Sequence, residues 1–223
     1  MRTVIFDLDG TLADTSRDLI AAANVCFRHM GLGDVLNPEL DAAIALRGGR
    51  RMLSAGLERL TLFDAGTVDE YYPMLLEAYE GAICTHTVLY PGAMDAVEAL
   101  RRDGYFVGIC TNKPEALAQL LLERLGVRGA FASMIGADTL KVRKPDPEPL
   151  REAVRRAGGD PAHGLLVGDS DTDRNTARAA GMPSVLVTFG PSGSEMAALE
   201  PEALLHAYAD LPEVVASLIG RNN

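Results

Sequence analysis

Val4-Ile5-Phe6 running into Asp7-Leu8-Asp9-Gly10-Thr11-Leu12 is the stretch from which the rest of the chain is read. An apolar run of this length, closed by glycine, predicts a buried β-strand. Side chains alternate along a strand, so Asp7 and Asp9 fall on one side just past its carboxyl end, where open α/β sheets bind their ligands. Two carboxylates sharing one small site raise the proton affinity of one of them, which suits a division of labour between an ionised and a protonated group. A divalent cation would ease their repulsion. A solitary Asp-x-Asp-Gly would read equally as a solvated turn, so the choice rests on what lies downstream.

The chain has 223 residues, enough for one large domain or two unequal ones, and the pattern favours two. With 21 Lys+Arg against 31 Asp+Glu its formal net charge is -10, which opposes binding to nucleic acid or to an anionic membrane. No apolar run approaches the roughly 18 residues of a membrane span, and the chain opens directly into a strand without a signal peptide, so a cytoplasmic protein is expected. Three cysteines, Cys26, Cys84 and Cys110, lack C-x-x-C spacing and indicate neither a disulfide framework nor a zinc site. Cys110 ends an apolar strand and reads as core.

After Asp14 the periodicity changes from two to 3.6 and stays helical. Helices are expected over Ser16–Met30 (capped by Thr15 or Ser16), Pro38–Leu46, Arg50–Thr61 and Thr67–Ile83, separated by glycine breaks such as Gly48-Gly49. From Tyr90-Pro91-Gly92 onward strands and helices alternate. The expected order is helix 93–102, strand 105–110, helix 115–125, strand 133–135, helix 147–157, strand 164–167, helix 172–180 and strand 184–187. Alternation of this kind predicts a parallel sheet covered on both faces. The fold class expected is therefore α/β, a doubly wound Rossmann-like core of residues 1–13 and 90–223 interrupted by an all-helical insert over 14–89.

Three more groups of residues fall where strands of this core end. Thr111-Asn112-Lys113-Pro114 offers a hydroxyl, an amide and backbone N–H groups before a helix, suited to phosphate oxygens as well as to ordinary capping. Lys144-Pro145 carries one of only three lysines, beside eighteen arginines, and an ammonium is a compact charge for clustered carboxylates or phosphate. Gly168-Asp169-Ser170-Asp171-Thr172-Asp173 is rich in oxygen and lacks His and Cys, which matches a hard cation such as Mg²⁺. Asp171 suits the helix N-terminus, whereas Asp169 should project toward Asp7 and Asp9.

Taken in order, D-x-D-G-T, T-N, K-P and G-D-S-x-x-D resemble the haloacid dehalogenase-like superfamily over almost the whole chain. The helical insert after the first motif is similar to the subgroup of phosphoglycolate phosphatases and β-phosphoglucomutases, in which it forms a cap. The resemblance implies that Asp7 is the nucleophile, Asp9 the general acid/base, Thr111 and Asn112 the phosphate clamp and Lys144 the neutralising cation. It further implies Mg²⁺ held by Asp7, the backbone carbonyl of Asp9 and Asp169, with Asp173 in support. An acid at position 9 favours phosphoryl transfer over dehalogenation. Residues 14–90 contain no lysine, which counts against phosphonate cleavage by a cap lysine and weakens a β-phosphoglucomutase-like reading. Arg47, Arg50 and Arg51 around Gly48-Gly49 are candidates to bind a substrate carboxylate, as phosphoglycolate would require. The expected partner is thus a small phosphorylated metabolite, with pyrophosphate, a nucleoside monophosphate and a sugar phosphate still open. A receiver domain of a signalling protein has a similar set of groups, but there the order differs, with the acidic pair first and Lys-Pro last.

Overall fold

The computed structural model describes residues 1–221 and divides the chain into two compact units, residues 1–13 with 89 onward and residues 14–88. In chain order the first part comprises β1 (Thr3–Phe6), β2 (Ala13–Asp14), α1 (Ser16–His29), α2 (Ala42–Ala45), α3 (Gly49–Arg59), α4 (Ala65–Gly81) and β3 (Val88–Leu89). Then follow α5 (Ala93–Arg102), β4 (Phe106–Cys110), α6 (Glu115–Arg124), β5 (Ser133–Ile135), α7 (Glu148–Arg156), β6 (Gly164–Gly168) and α8 (Asp171–Ala180). The chain ends with β7 (Ser184–Val187), β8 (Ala203–Leu205) and α9 (Leu211–Ile219).

The larger unit is the expected α/β fold. Its six strands are all parallel in the order β5-β4-β1-β6-β7-β8, so β1 is central and its neighbours β4 and β6 lie in opposite directions of the winding. Ile5 stands opposite Gly108 on one side and Leu166 on the other. β1, β6 and β7 are buried along their whole length, because helices cover both faces of a parallel sheet and leave no polar face. Ile5, Cys110, Ile135, Leu150, Val154, Leu166 and Met182 pack together on one of these faces. Burial pushes the Cys110 thiol up to about 12, so it is a core group and not a nucleophile. The sheet extends one strand further than the alternation predicts. β8 has only three residues, too few for a periodic signal, and buried Arg174 anchors its approach by donating to both oxygens of Glu202 at 2.9 Å and to the carbonyl oxygens of Leu199 and Glu200.

The unit of residues 14–88 has a core of its own. Ile20 and Phe27 of α1, Met52, Leu53 and Leu57 of α3, and Leu75 and Tyr79 of α4 are buried. Gly56 lets α1 and α3 approach, since a Cβ there would lie 2.2 Å from Phe27 Cζ. Thr15 stands at the N-cap of α1, as expected, but the side chain that caps the first turn is that of Asp14, whose Oδ1 accepts from the Ser16 N–H at 3.0 Å and its hydroxyl at 2.6 Å. The helix expected over Pro38–Leu46 is confined to Ala42–Ala45. Side chains take over part of the pairing just before it: Asn37 Oδ1 accepts from Glu39 N at 2.8 Å and Asp41 Oδ2 accepts from Asn37 N at 2.7 Å, while Asp41 N still donates to Asn37 O at 2.9 Å. Asp41 in turn is held by Arg59, whose hydrogen bonds keep its carboxyl below the usual range. Buried Asp18 accepts from the N–H groups of His86 and Thr87 and from Thr87 Oγ1, which fastens the end of this unit to its first helix. Among the described residues no helix is long and apolar enough to cross a membrane.

Gly56→Ala should lower stability by about 1–3 kcal/mol, because the rigid Phe27 ring has nowhere to yield and this outweighs the better helix propensity of alanine. A thermal melt checks this, and an unchanged or higher Tm would show that α1 and α3 can part without cost.

Candidate active site

Strand order places the loops that follow β1, β4 and β6 at one edge of the sheet, at the point where its winding reverses. Asp7 directly follows β1 and its N–H donates to Val167 O at 2.9 Å, so its backbone is still held by the ladder. The chain then turns tightly: Gly10 adopts a φ of +82°, and the N–H groups of Leu12 and Ala13 donate back to Leu8 O. Asp169 follows β6. Thr111 follows β4, where its N–H donates to Ile135 O at 2.9 Å.

Lys144 Nζ joins these loops. It donates to Asp7 Oδ1 at 2.8 Å and to Asp173 Oδ1 at 2.6 Å, and its side chain is 2% exposed. Asp173 Oδ2 accepts from Ser170 Oγ at 2.6 Å and from Asp169 N at 3.2 Å, so the whole carboxylate is satisfied by protein donors. Glycine at 168 is required for this arrangement, since a Cβ there would sit 2.4 Å from Asp173 Cβ. Asp169 Oδ1 accepts from Thr11 Oγ1 at 2.9 Å, and the carbonyl of Thr11 accepts from the buried Tyr208 hydroxyl at 2.7 Å. Asp171 is exposed on the first turn of α8, which Ser170 caps.

Asp9 lies near enough to add to the charge on Asp7, and each of the two carboxylates also has an ammonium of its own. Asp9 turns to Lys113, whose Nζ donates to Oδ1 at 2.9 Å and to Oδ2 at 2.8 Å. Among carboxylates, Asp173 acts on Asp7 more strongly than Asp9 does. Asn112 Nδ2 donates to Lys144 O at 2.9 Å, tying the loop after β4 to the Lys144 turn, while the buried Thr111 hydroxyl accepts from Lys113 N at 3.2 Å. Neither caps α6, whose N-cap is Pro114. Arg47, Arg50 and Arg51 belong to the other unit. All three are exposed; Arg50 pairs with Asp69 and lies 4.3 Å above the Tyr72 ring, and Arg51 pairs with Glu58 at 3.0 Å.

Lys113, Thr11 and Tyr208 are site-supporting residues that sequence reasoning missed. Lys113 had a signal, as one of three lysines and the immediate neighbour of Thr111-Asn112. Tyr208 had none, lying almost two hundred residues from its partner.

Asp7, Asp169 and Asp173 offer carboxylate oxygens within 4.8 Å of one another, all buried. Four aspartates (7, 9, 169 and 173) and two lysines (113 and 144) leave two negative charges uncompensated, and the donors are all oxygen. Both features fit a divalent hard cation. Burial holds Asp7 up at about 6, with Asp173 adding to the rise and Lys144 opposing it. Asp169 is raised well above the usual carboxylate range by burial and then by Asp7 and Asp173. Lys144 is raised despite its burial, which acts to lower it, because two carboxylates flank it.

A family model described as haloacid dehalogenase-like hydrolase matches residues 4–187. A phosphoglycolate phosphatase of Mesorhizobium japonicum is 37% identical over 219 residues, covering 98% of this chain and 96% of that protein. One from Xanthomonas campestris is 40% identical over 189 residues, covering 85% of this chain and 84% of its own length. A crystal structure described as a predicted phosphoglycolate phosphatase of Haemophilus somnus superimposes with a TM-score of 0.83 at 26% identity, over 96% of this chain and 97% of that one.

The crowded carboxylates predict an unusual pH dependence for metal-free protein. The folded state retains protons that the unfolded chain has released, so stability should fall as pH rises from the ordinary 3.8 of Asp7 through about 6. Asp169→Asn, which still accepts from Thr11, should therefore raise the Tm in EDTA. The gain should be larger at pH 8 than at pH 5, since the charge removed is fully present only at the higher pH. A lower Tm, or a gain independent of pH, would contradict the charge argument.

Proposed function

Since the chain belongs to the haloacid dehalogenase-like hydrolases and is a phosphatase of phosphoric monoesters, we propose that it hydrolyses a small phosphoglycolate-like substrate through an aspartyl-phosphate on Asp7. The observation that carries this reading is the Lys144 ammonium between Asp7 and Asp173, with an oxygen of Asp169 close by, where the winding of the sheet reverses. Asp7 Oδ attacks phosphorus, and Asp9 gives a proton to the departing alkoxide. Asp9 then takes a proton from the water that hydrolyses the acyl phosphate, which regenerates Asp7. Lys144 orients Asp7 and offsets charge on the transferring group. The Thr111 hydroxyl and the N–H groups of its loop hold phosphate oxygens, with Asn112 fixing that loop against Lys144. Mg²⁺, held by Asp7, Asp169 and the carbonyl of Asp9 with Asp173 in support, would supply the remaining positive charge. Most of the rate then comes from positioning and electrostatics.

In this reading the helical unit of residues 14–88 is the specificity cap, and Arg47, Arg50 and Arg51 are its candidate partners for a substrate carboxylate. Phosphoglycolate is favoured as the substrate because proteins of that name match this chain over nearly their full length. Without a disulfide framework in the sequence, the reducing cytoplasm fits the protein.

Asp7→Asn should leave the fold intact and reduce turnover to below about 1% of wild type, since an amide is a poor nucleophile of the same shape. Activity should vanish in EDTA, return with Mg²⁺ and be opposed by Ca²⁺, whose larger coordination shell allows Asp7 to bind bidentately. Full activity in EDTA would refute the metal assignment. A screen of phosphorylated metabolites should rank 2-phosphoglycolate first. Replacing the arginine that binds its carboxylate by alanine should raise KM for it about tenfold or more, the loss of a charge-assisted bond of roughly 1.5–3 kcal/mol, with little change for an uncharged phosphomonoester. If none of the three alanine variants separates the two substrates, the selector lies elsewhere in the unit.

A further inference from the structure

Asp9 is held by a residue that the motif pattern does not single out. The backbone of Lys113 is fixed at both ends, with its N–H donating to Thr111 Oγ1 and its carbonyl accepting from Ala137 N at 2.9 Å. Its side chain is 4% exposed and that of Asp9 16%, and one nitrogen bonds both oxygens at 2.9 and 2.8 Å. Two bonds from one donor restrain rotation about the Cβ–Cγ bond of Asp9, while each oxygen keeps a lone pair for another partner. Lys144 is engaged by Asp7 and Asp173, so the two ammonium groups serve different carboxylates.

We propose that Lys113 is a positioning residue for the second half of the reaction, holding the Asp9 carboxyl in the orientation from which it takes a proton from the hydrolytic water. The assignment rests on the phosphatase reading above. In this step the water oxygen bonds to phosphorus, its proton passes to Asp9, and the bond between phosphorus and the Asp7 oxygen breaks. Inorganic phosphate and the Asp7 carboxylate are the products. Lys113 acts only through Asp9, so its loss should slow this step and spare the formation of the covalent intermediate from a substrate that needs no acid.

p-Nitrophenyl phosphate is such a substrate, because p-nitrophenolate leaves without a proton. With it, kcat/KM reports only transfer to Asp7, whereas kcat includes hydrolysis of the intermediate. Lys113→Met should lower kcat about tenfold or more, with KM falling in step so that kcat/KM stays within about threefold of wild type, and rapid mixing should show a burst near one p-nitrophenol per folded active site. Lys113→Arg should restore part of kcat, since a guanidinium can hold the same carboxylate. Asp9→Asn should show the same pattern, and the double variant should be no slower than Asp9→Asn alone. If kcat/KM falls as far as kcat, or if the two losses multiply, Lys113 acts on phosphate independently of Asp9 and the proposal fails. Should Lys113→Met not stay folded at the assay temperature, Lys113→Gln carries the same comparison. Wild-type protein that turned over no phosphomonoester would instead overturn the phosphatase reading, and this assignment with it.

Discussion

The buried ammonium of Lys144 lies between Asp7 and Asp173, and the rest of the site is arranged to make that position tenable. Taking such charges out of water costs several kcal/mol per ion, which is recovered only when partners are close and their remaining lone pairs are satisfied. The loop meets that condition for Asp173 through Ser170 and the Asp169 N–H. It does so for the backbone of Lys144 through the Asn112 amide. Asp7 and Asp169 are left with capacity to spare and with more negative charge nearby than protein cations neutralise. The same shortage of positive charge that raises their proton affinity makes the cluster suitable for a divalent cation and, beside it, for a phosphoryl group.

This arrangement is a consequence of strand order. Parallel strands bring all their carboxyl ends to one edge, and with β1 central the loops after β4 and β6 flank it from opposite sides. Asp7, Asp169 and Thr111 come from three such loops, and Lys144 precedes the helix that packs beneath them. Support continues outward through Thr11 and Tyr208, whose ring lies beside Phe189 with centroids 5.2 Å apart. Asp169 is thereby held at one remove by an aromatic group near the end of the chain. The helical unit has fastenings of its own: Phe27 against Gly56, Arg59 on Asp41 and Asp18 on residues 86–87.

Much of the fold was legible because its signals are local. β1, β4, β6 and β7 are short apolar runs ended by Gly, Asp or Thr, and helices such as α5 and α6 show apolar spacing near 3.6. The elements that were missed or misjudged lack a local signal. β8 has three residues and depends on Arg174 from a distant helix. The stretch 38–41 has helical spacing, but Asn37 Oδ1 accepts from the Glu39 N–H and Asp41 Oδ2 from the Asn37 N–H, and Arg59 holds Asp41 from eighteen residues away.

By itself the sequence determined the alternating fold, the positions of the acidic and lysine-bearing loops at strand ends, and hence the class of chemistry, since each depends on residue type and spacing along a few consecutive positions. Only the tertiary structure decided how the charges pair. That Lys144 takes Asp7 and Asp173 while Lys113 takes Asp9 depends on distances between groups 29 to 137 residues apart. A compact charge carries no record of its partner in the neighbouring residues; strand order brings the loops together, and burial then leaves each ammonium only the carboxylates within reach.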